Sequence, residues 1–317
     1  MFSVVIPLYN KAPYIEKAIR SVANQTFQNF ELIIIDDGST DDSLNKTKEI
    51  LHTLTPPIWQ CSVLSQKNAG VSTTRNNGVK YSKYDYIAFL DADDWWDIRF
   101  LEEMNDLIHE FPGKGVYGSG IYTVKRNNNR IIDLGVDPSF IKGIANYSNL
   151  LSKGYTRPVC TGSCVISKKT FNDVGGFHPD LKMGEDFDLF FKCYLKNGLV
   201  LLNKPLFYYN QNVDPANRAI SNKLYSRKES VFFNLNYPEQ EYDKDVRHLI
   251  EFLKLRSFYP YFLAGIYIDE IKKELKQINF SNHLAKFFWQ YKVLPRWIQN
   301  FWYFVKRNIY YLLKRFL

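Results

Sequence analysis

Over residues 1 to about 95 the chain repeats one pattern: a short apolar run, a polar turn, then apolar residues at helical spacing. Ser3-Val4-Val5-Ile6-Pro7 opens it, and the stretch 12–25 follows with Ile15, Ala18, Ile19 and Val22 on one helical face. Unbroken β-branched runs suit strands buried on both sides, as parallel sheets require. The second run, 31–35, ends in Asp36-Asp37-Gly38-Ser39-Thr40 ahead of a helical stretch over about 41–53. Ser62-Val63-Leu64 and the stretch 71–80 repeat the unit, and Tyr86-Ile87-Ala88-Phe89-Leu90 runs into Asp91. Strand–helix alternation of this kind predicts right-handed crossovers and a mostly parallel central sheet with flanking helices, an α/β, Rossmann-like fold. In such sheets ligands bind beyond the carboxyl ends of the strands. Both acidic clusters, Asp36-Asp37 and Asp91–Asp94, fall at such ends, so residues 1–95 read as a nucleotide-binding half.

From 96 to 212 the pattern is more mixed, with strands predicted near Val116–Val124 and Val159–Ser167 and a helix over 185–196. Residues 213–250 are polar and carry Pro215 and Pro238, as a connecting stretch would. Helical periodicity resumes near 244 and continues, broken at Pro260 and Pro295, to the C-terminus. The expected division is therefore a domain over 1–212 and a helical C-terminal region over 213–317.

The 317-residue chain has a formal net charge of +8, which invites a nucleic-acid reading until the charges are located. No acid follows Glu274, while Lys276, Lys286, Lys292, Arg296, Lys306, Arg307, Lys314 and Arg315 do. Removing those eight from the 41 Lys and Arg leaves 33 cations against the 33 acids of residues 1–274. The body is neutral and the tail holds the whole excess, which points to an anionic surface met by the tail and to no nucleic-acid partner. On a helical wheel Phe301, Trp302, Val305, Ile309, Leu312, Leu313 and Phe316 share one arc, with Lys306, Arg307, Tyr310, Lys314 and Arg315 opposite. Such a helix suits peripheral contact with an anionic membrane, or packing on the protein's own core or on a second subunit in a homo-oligomer. No basic region precedes the apolar run Phe2–Leu8, and no stretch reaches the roughly 18 apolar residues of a spanning helix. The expected location is cytoplasmic, at the inner face of the cell membrane. The four cysteines, Cys61, Cys160, Cys164 and Cys193, lack paired zinc-ligand spacing and read as reduced thiols.

The chemistry concentrates in three places. Asp91-Ala92-Asp93 directly follows an apolar strand, and period-two alternation would turn both carboxylates the same way. Two hard oxygen donors suit Mg²⁺ or Mn²⁺, which keeps coordination positions for phosphate and water; the bland reading is a solvated turn. Asp36-Asp37-Gly38 could accept hydrogen bonds from a base edge or ribose, or its neighbours could simply cap a helix. Gly184-Glu185-Asp186-Phe187-Asp188 opens a predicted helix, where an ionised Asp could take a proton from a hydroxyl or merely cap. No G-x-G-x-x-G or Walker A loop is present, which argues against the usual dinucleotide and ATP sites. Trp95 and Trp96 are compatible with stacking on a sugar or with core packing. His178, in a Gly-rich turn beside Pro179, reads as a surface residue rather than a metal ligand.

Together these segments resemble the family 2 glycosyltransferases of the GT-A fold. The resemblance covers about residues 2–212. It rests on Val4-Val5-Ile6-Pro7-Leu8-Tyr9-Asn10, on the stretch 31–41, on Asn68-Ala69-Gly70-Val71-Ser72 with Arg75-Asn76, and on Phe89-Leu90-Asp91-Ala92-Asp93-Asp94. Thr161-Gly162-Ser163, Gly175-Gly176-Phe177 and the stretch 184–189 complete it. The family pattern implies that Pro7 and Tyr9 line a nucleotide pocket, with Asp36 or Asp37 on the base and Arg75 nearby. It implies that Asp91 and Ala92 belong to the nucleotide site, Asp91 binding ribose or the metal shell, and that Asp93 ligates Mn²⁺ or Mg²⁺. Glu185 and Trp95 would flank the sugars, and Asp186 would be the base of an inverting displacement. Residues 1–95 would hold the nucleotide-sugar donor, UDP-linked by default, and 96–212 a glycan or lipid-linked glycan acceptor.

Two departures bear on this. The segment Tyr208–Asn212 is amide-rich where many relatives carry Arg or His, leaving a third metal ligand unassigned and Arg218 as a phosphate candidate. Leu294-Pro295-Arg296-Trp297 has Val293 where processive synthases need Gln, so one sugar per encounter is expected. The rival readings are a nucleotidyltransferase, for which Asn10-Lys11-Ala12-Pro13 lacks the glycine-rich grip on a triphosphate, and a catalytically inactive nucleotide-sugar-binding module.

Overall fold

Strand β1 (Phe2–Leu8) runs through the middle of the first half, with Phe2, Val4, Val5, Ile6 and Leu8 shut off from water. Three further strands, β2 (Phe30–Asp36), β3 (Gln60–Ser65) and β4 (Tyr86–Phe89), join it in the order β3-β2-β1-β4, every pair parallel. The order reverses between β1 and β4, and the crevice at such a switch point is where open α/β sheets take ligands. The connecting helices are α1 (Ile15–Ala23), α2 (Ser43–Thr53) and α3 (Val71–Tyr81). Helix α1 buries Ile15, Ala18, Ile19 and Val22, the four positions its periodicity marks.

The computed structural model describes residues 1–54, 60–126, 128–152, 158–214, 224–238 and 243–278. Arg218, the segment Leu294–Trp297 and the basic tail lie outside the described residues. The chain divides into two compact units, Met1–Asn222 and Lys223–Leu317.

The first unit continues with β5 (Trp95–Trp96), α4 (Phe100–Glu110), β6 (Val116–Val124), β7 (Arg130–Ile131), β8 (Lys142–Ala145) and α5 (Tyr147–Ser152). After these come β9 (Cys164–Ser167), α6 (Lys168–Asp173), α7 (Glu185–Asn197) and β10 (Leu199–Asn210). The sheet extends as β4-β9-β6-β10-β5, with β7 beside β6 and β8 beside β10. Strand β9 is antiparallel to both β4 and β6, so the parallel block ends there, whereas β10 is again parallel to β6. The α/β class holds, and this mixed second half joins the first in one continuous sheet.

Two elements differ from the sequence expectation. The strand predicted over 159–167 begins only at Cys164, because Thr161–Ser163 coil into a 3₁₀ turn. Strand β10 has no predicted counterpart: Asn203-Lys204-Pro205 interrupts its apolar run, and its register against β6 shifts on both sides of Pro205.

In the second unit α8 (Lys244–Ala264) starts at Asp243, whose carboxylate accepts from the amides of Asp245 and Val246, and α9 (Ile268–Gln277) follows. Helix α8 runs through Pro260 rather than breaking there. Phe258, Tyr259, Tyr261 and Phe262 pack in one buried cluster on both sides of the proline, and that packing offsets the lost backbone hydrogen bond. Among the described residues no helix is long and apolar enough to cross a membrane.

Candidate active site

The loops after β1 and β2 are stapled together by Asn10, which sits in the left-handed region at φ 50°. Its side-chain oxygen accepts from the amides of Thr40 (2.8 Å) and Asp41 (3.3 Å), and its own amide donates to Ser39 Oγ at 3.1 Å. Pro7 and Tyr9 thus stand beside the 36–41 turn, with Tyr9 45% exposed. Asp36 accepts from the Ser39 amide at 3.2 Å. Asp37 is buried and already holds three donors, Gln66 Nε2 (2.8 Å), the Ala69 amide (2.8 Å) and the Gly70 amide (2.9 Å). A carboxylate offers about four acceptor positions, so Asp37 anchors the loop that leads into α3 and keeps about one position beyond these three donors.

Helix α3 brings Arg75 to the end of β4. It lies hard against β1 because Gly78, one turn after Arg75, has no side chain: a Cβ there would collide with Val5 Cγ1. Arg75 is almost wholly buried, its Nη2 2.6 Å from Asp91 Oδ1 and its Nη1 4.0 Å from Glu185 Oε1. Its guanidinium also lies over the Phe177 ring, 5.1 Å from the centroid. Nε and Nη1 have no hydrogen-bond partner among the described residues, and buried donors of this kind are expected to find one.

Residues 91–94 are not a continuation of the strand. Strand β4 stops at Phe89, and the Asp94 amide donates to the Asp91 carbonyl at 3.1 Å, closing a turn. Asp91 and Asp93 therefore do not share a strand face as alternation predicts, and the two carboxylates have different partners. Asp91 pairs with Arg75, while Asp93 Oδ2 accepts from Lys11 Nζ at 2.6 Å. Ala92 is buried between them, and Asp94, buried as well, accepts from the Asn210 amide at 2.8 Å and ties the turn to the end of β10. Burial pushes the Asp93 carboxyl above its ordinary range, Lys11 draws it back and Asp91 adds to the rise. Asp94 is pushed up further, by burial and then by Asp93 and Asp91.

No group of three or more His, Cys, Asp or Glu among the described residues forms a ready-made metal cage. The crowded, partly desolvated carboxylates nevertheless fit a hard divalent ion that takes one protein carboxylate and completes its shell with phosphate and water.

Helix α7 starts after Gly184, which is left-handed at φ 79°. Glu185 and Asp186 occupy its first turn, and Asp186 accepts from the Phe187 amide at 2.7 Å. Burial, then the charge of Asp186, raises the Glu185 carboxyl, with Arg75 opposing. Arg75 thus joins the start of α7 to the 91–94 turn. Trp95 stacks on Tyr208 (5.7 Å between centroids, 9° between planes) with Lys17 Nζ 3.1 Å from its centroid, so protein groups already cover much of its ring face. Trp96 is core: its indole N–H donates to the Gly162 carbonyl at 2.7 Å and its ring stacks on Phe100. His178 lies exposed in its turn, accepting from the Asp180 amide. The sequence gives no signal for Lys11 and marks Asp94 only as a member of the acidic cluster, yet these two residues fix how the acidic turn is held.

The chain belongs to glycosyl transferase family 2, whose sequence model matches residues 3–175. The glycosyltransferase GlyA of Streptococcus pneumoniae is 25% identical over 78% of this chain and 37% of its own length. The chondroitin synthase of Escherichia coli is 29% identical over 74% of this chain and 32% of its own. The chain therefore spans about a third of the length of these relatives. S. aureus TarS 1–349, solved with UDP-GlcNAc, superposes with a TM-score of 0.63 at 19% identity, over 87% of this chain and 76% of that one. A mannosyltransferase from Pyrobaculum calidifontis, solved with GDP-Man and Mn²⁺, gives 0.50 at 16% identity, over 92% and 70%. These structures show that the fold is the GT-A type.

Proposed function

We propose that the protein transfers a sugar from a nucleotide-diphosphate sugar, UDP-linked, to a hydroxyl of a glycan or lipid-linked glycan, with inversion at C1. The observation that carries this is Arg75. One buried guanidinium contacts both the acidic turn beyond β4 and the start of α7, and it keeps two orphaned donors that an anionic ligand would satisfy. Pro7, Tyr9 and Asp36 border the same edge of the sheet and suit the nucleoside. UDP-GlcNAc on TarS and GDP-Man with Mn²⁺ on the mannosyltransferase are the ligands of structures that share this fold. Asp186 accepts the proton of the acceptor hydroxyl as its oxygen bonds to C1. The C1–O bond to the diphosphate breaks on the opposite face, and its electron pair leaves with the nucleoside diphosphate. A divalent cation, Mn²⁺ or Mg²⁺, held through Asp93 would supply neutralisation of the leaving diphosphate. The basic tail would keep the enzyme at an anionic membrane where a lipid-linked acceptor is presented.

A panel of UDP-, GDP- and TDP-sugars, with Mn²⁺ or with chelator, tests the reading. Release of nucleoside diphosphate from a UDP-sugar, lost on chelation, is expected. Pyrophosphate formed from a nucleoside triphosphate and a sugar phosphate would instead mark a nucleotidyltransferase. Binding without turnover would mark an inactive module, and release that survives chelation would remove the role given to Asp93.

A further inference from the structure

We infer that Lys11 is the resident counter-ion of the acidic turn, so that a divalent metal alone binds Asp93 against this ammonium and nucleotide relieves that opposition. The inference rests on the reading of Asp93 as the metal-holding residue, and it goes beyond that reading by assigning Lys11 a role in how the site fills. Lys11 comes from the loop after β1, and its amide donates to Ser43 Oγ at 2.7 Å, which fixes the backbone at the start of α2. From that fixed point its side chain crosses to Asp93, Nζ lying 2.6 Å from Oδ2 with only 15% and 19% of the two side chains exposed. The pair is well withdrawn from water, so the attraction is screened less than at a surface.

The neighbourhood shows why a cation is held there. Asp91, Asp93 and Asp94 stand within one turn, Arg75 neutralises Asp91, and Asp94 has a backbone donor from Asn210. Among the described residues Lys11 is the cation bonded to Asp93. A metal ion taking Asp93 meets the charge of that ammonium, and the two cations repel across a partly desolvated carboxylate. Metal alone therefore binds against Lys11. A diphosphate brings negative charge to the same place, and the ammonium, on a flexible four-carbon stem, can exchange Asp93 for phosphate oxygens. Nucleotide then removes the competitor for Asp93, and each ligand favours the other by the same factor. Lys11 is a positioning residue in this scheme, acting through Asp93.

The test uses the full-length protein with Mn²⁺ alone, UDP alone and both together, read by calorimetry and by the shift in Tm, without turnover. In the wild type, UDP should tighten Mn²⁺ binding by about tenfold or more, within the usual range of coupling between sites. Lys11→Met, which keeps the stem and removes the charge, should bind Mn²⁺ alone about tenfold more tightly and show weaker coupling, the part that remains coming from phosphate oxygens in the metal's shell. Lys11→Arg should keep it. If Lys11→Met is too unstable for calorimetry, Mn²⁺ alone should raise its Tm by more than it raises the wild type's, because the metal replaces the missing counter-ion. Unchanged Mn²⁺ affinity and Tm response in Lys11→Met would overturn the inference. Failure of the wild type to bind Mn²⁺ with any nucleotide would instead overturn the reading of the site itself.

Discussion

Asp186 sits in the first turn of α7, one residue from a Glu185 that Arg75 draws toward the acidic turn. A base must lie close to the proton it takes, and at the helix start one oxygen of the Asp186 carboxylate is fixed by the Phe187 amide. Asp186→Asn keeps the shape and the acceptor oxygen for the Phe187 amide but cannot take a proton. Nucleotide affinity, measured by calorimetry, should be unchanged, while release of nucleoside diphosphate should fall about 10²- to 10⁴-fold. Turnover at the wild-type rate would mean that another group is the base. At this scale the sequence was legible where chemistry clusters along the chain and illegible where it crosses it. Three acids in four residues stand out in Asp91–Asp94, yet nothing local distinguishes Lys11, 82 positions from its partner, from any loop lysine. The same limit explains the error over the acidic turn. Alternation along a strand predicts side-chain direction only while the strand lasts, and β4 stops at Phe89.

The elements that place these residues follow from close approaches as much as from periodicity. Helix α3 can lie on β1 because Gly78 faces Val5, and Arg75 on the same helical face is thereby set at the end of β4. Gly78→Ala is ordinarily a helix-favouring change, worth up to about 1 kcal/mol in a free helix. Here the added methyl meets Val5 in a packed interior, and overpacking of that kind costs about 1–3 kcal/mol. The variant should therefore melt at lower temperature and also lose nucleotide affinity as Arg75 is displaced; Gly78→Ala paired with Val5→Ala should recover part of both. Stability that rises with the single change would show that α3 does not bear on β1 in this way. Strands β1, β2 and β4 were readable because burial on both faces leaves an uninterrupted apolar signature. Strand β10 was not, because Lys204-Pro205 breaks its pattern at the register shift, and the break is visible only once β6 lies alongside.

For the whole molecule the distribution of charge is the decisive property. Residues 1–274 balance 33 cations against 33 acids, so the part of the chain that holds the site carries no net charge. The eight cations that follow hold the whole of the chain's net charge. Near an anionic leaflet each Lys or Arg would contribute about 1 kcal/mol, a term that salt screens, and, were the tail helical as its sequence pattern predicts, Phe301, Trp302, Val305, Ile309, Leu312, Leu313 and Phe316 would add an apolar one that salt does not weaken. The full chain should therefore co-sediment with vesicles containing anionic lipid, less so with neutral vesicles, and should be only partly released at high salt. Removing the residues after about 298 should abolish that association and leave nucleoside diphosphate release from a soluble donor unchanged, because every residue of the proposed site lies before 187. Glu at Lys306, Arg307, Lys314 and Arg315 should weaken vesicle binding nearly as much as truncation while keeping the apolar arc. If truncated and full-length chains co-sediment equally, the tail packs on protein, and the acceptor is reached without it. If truncation instead lowers both the Tm and donor turnover, the apolar arc belongs to the fold and the cationic face alone is left to meet the membrane.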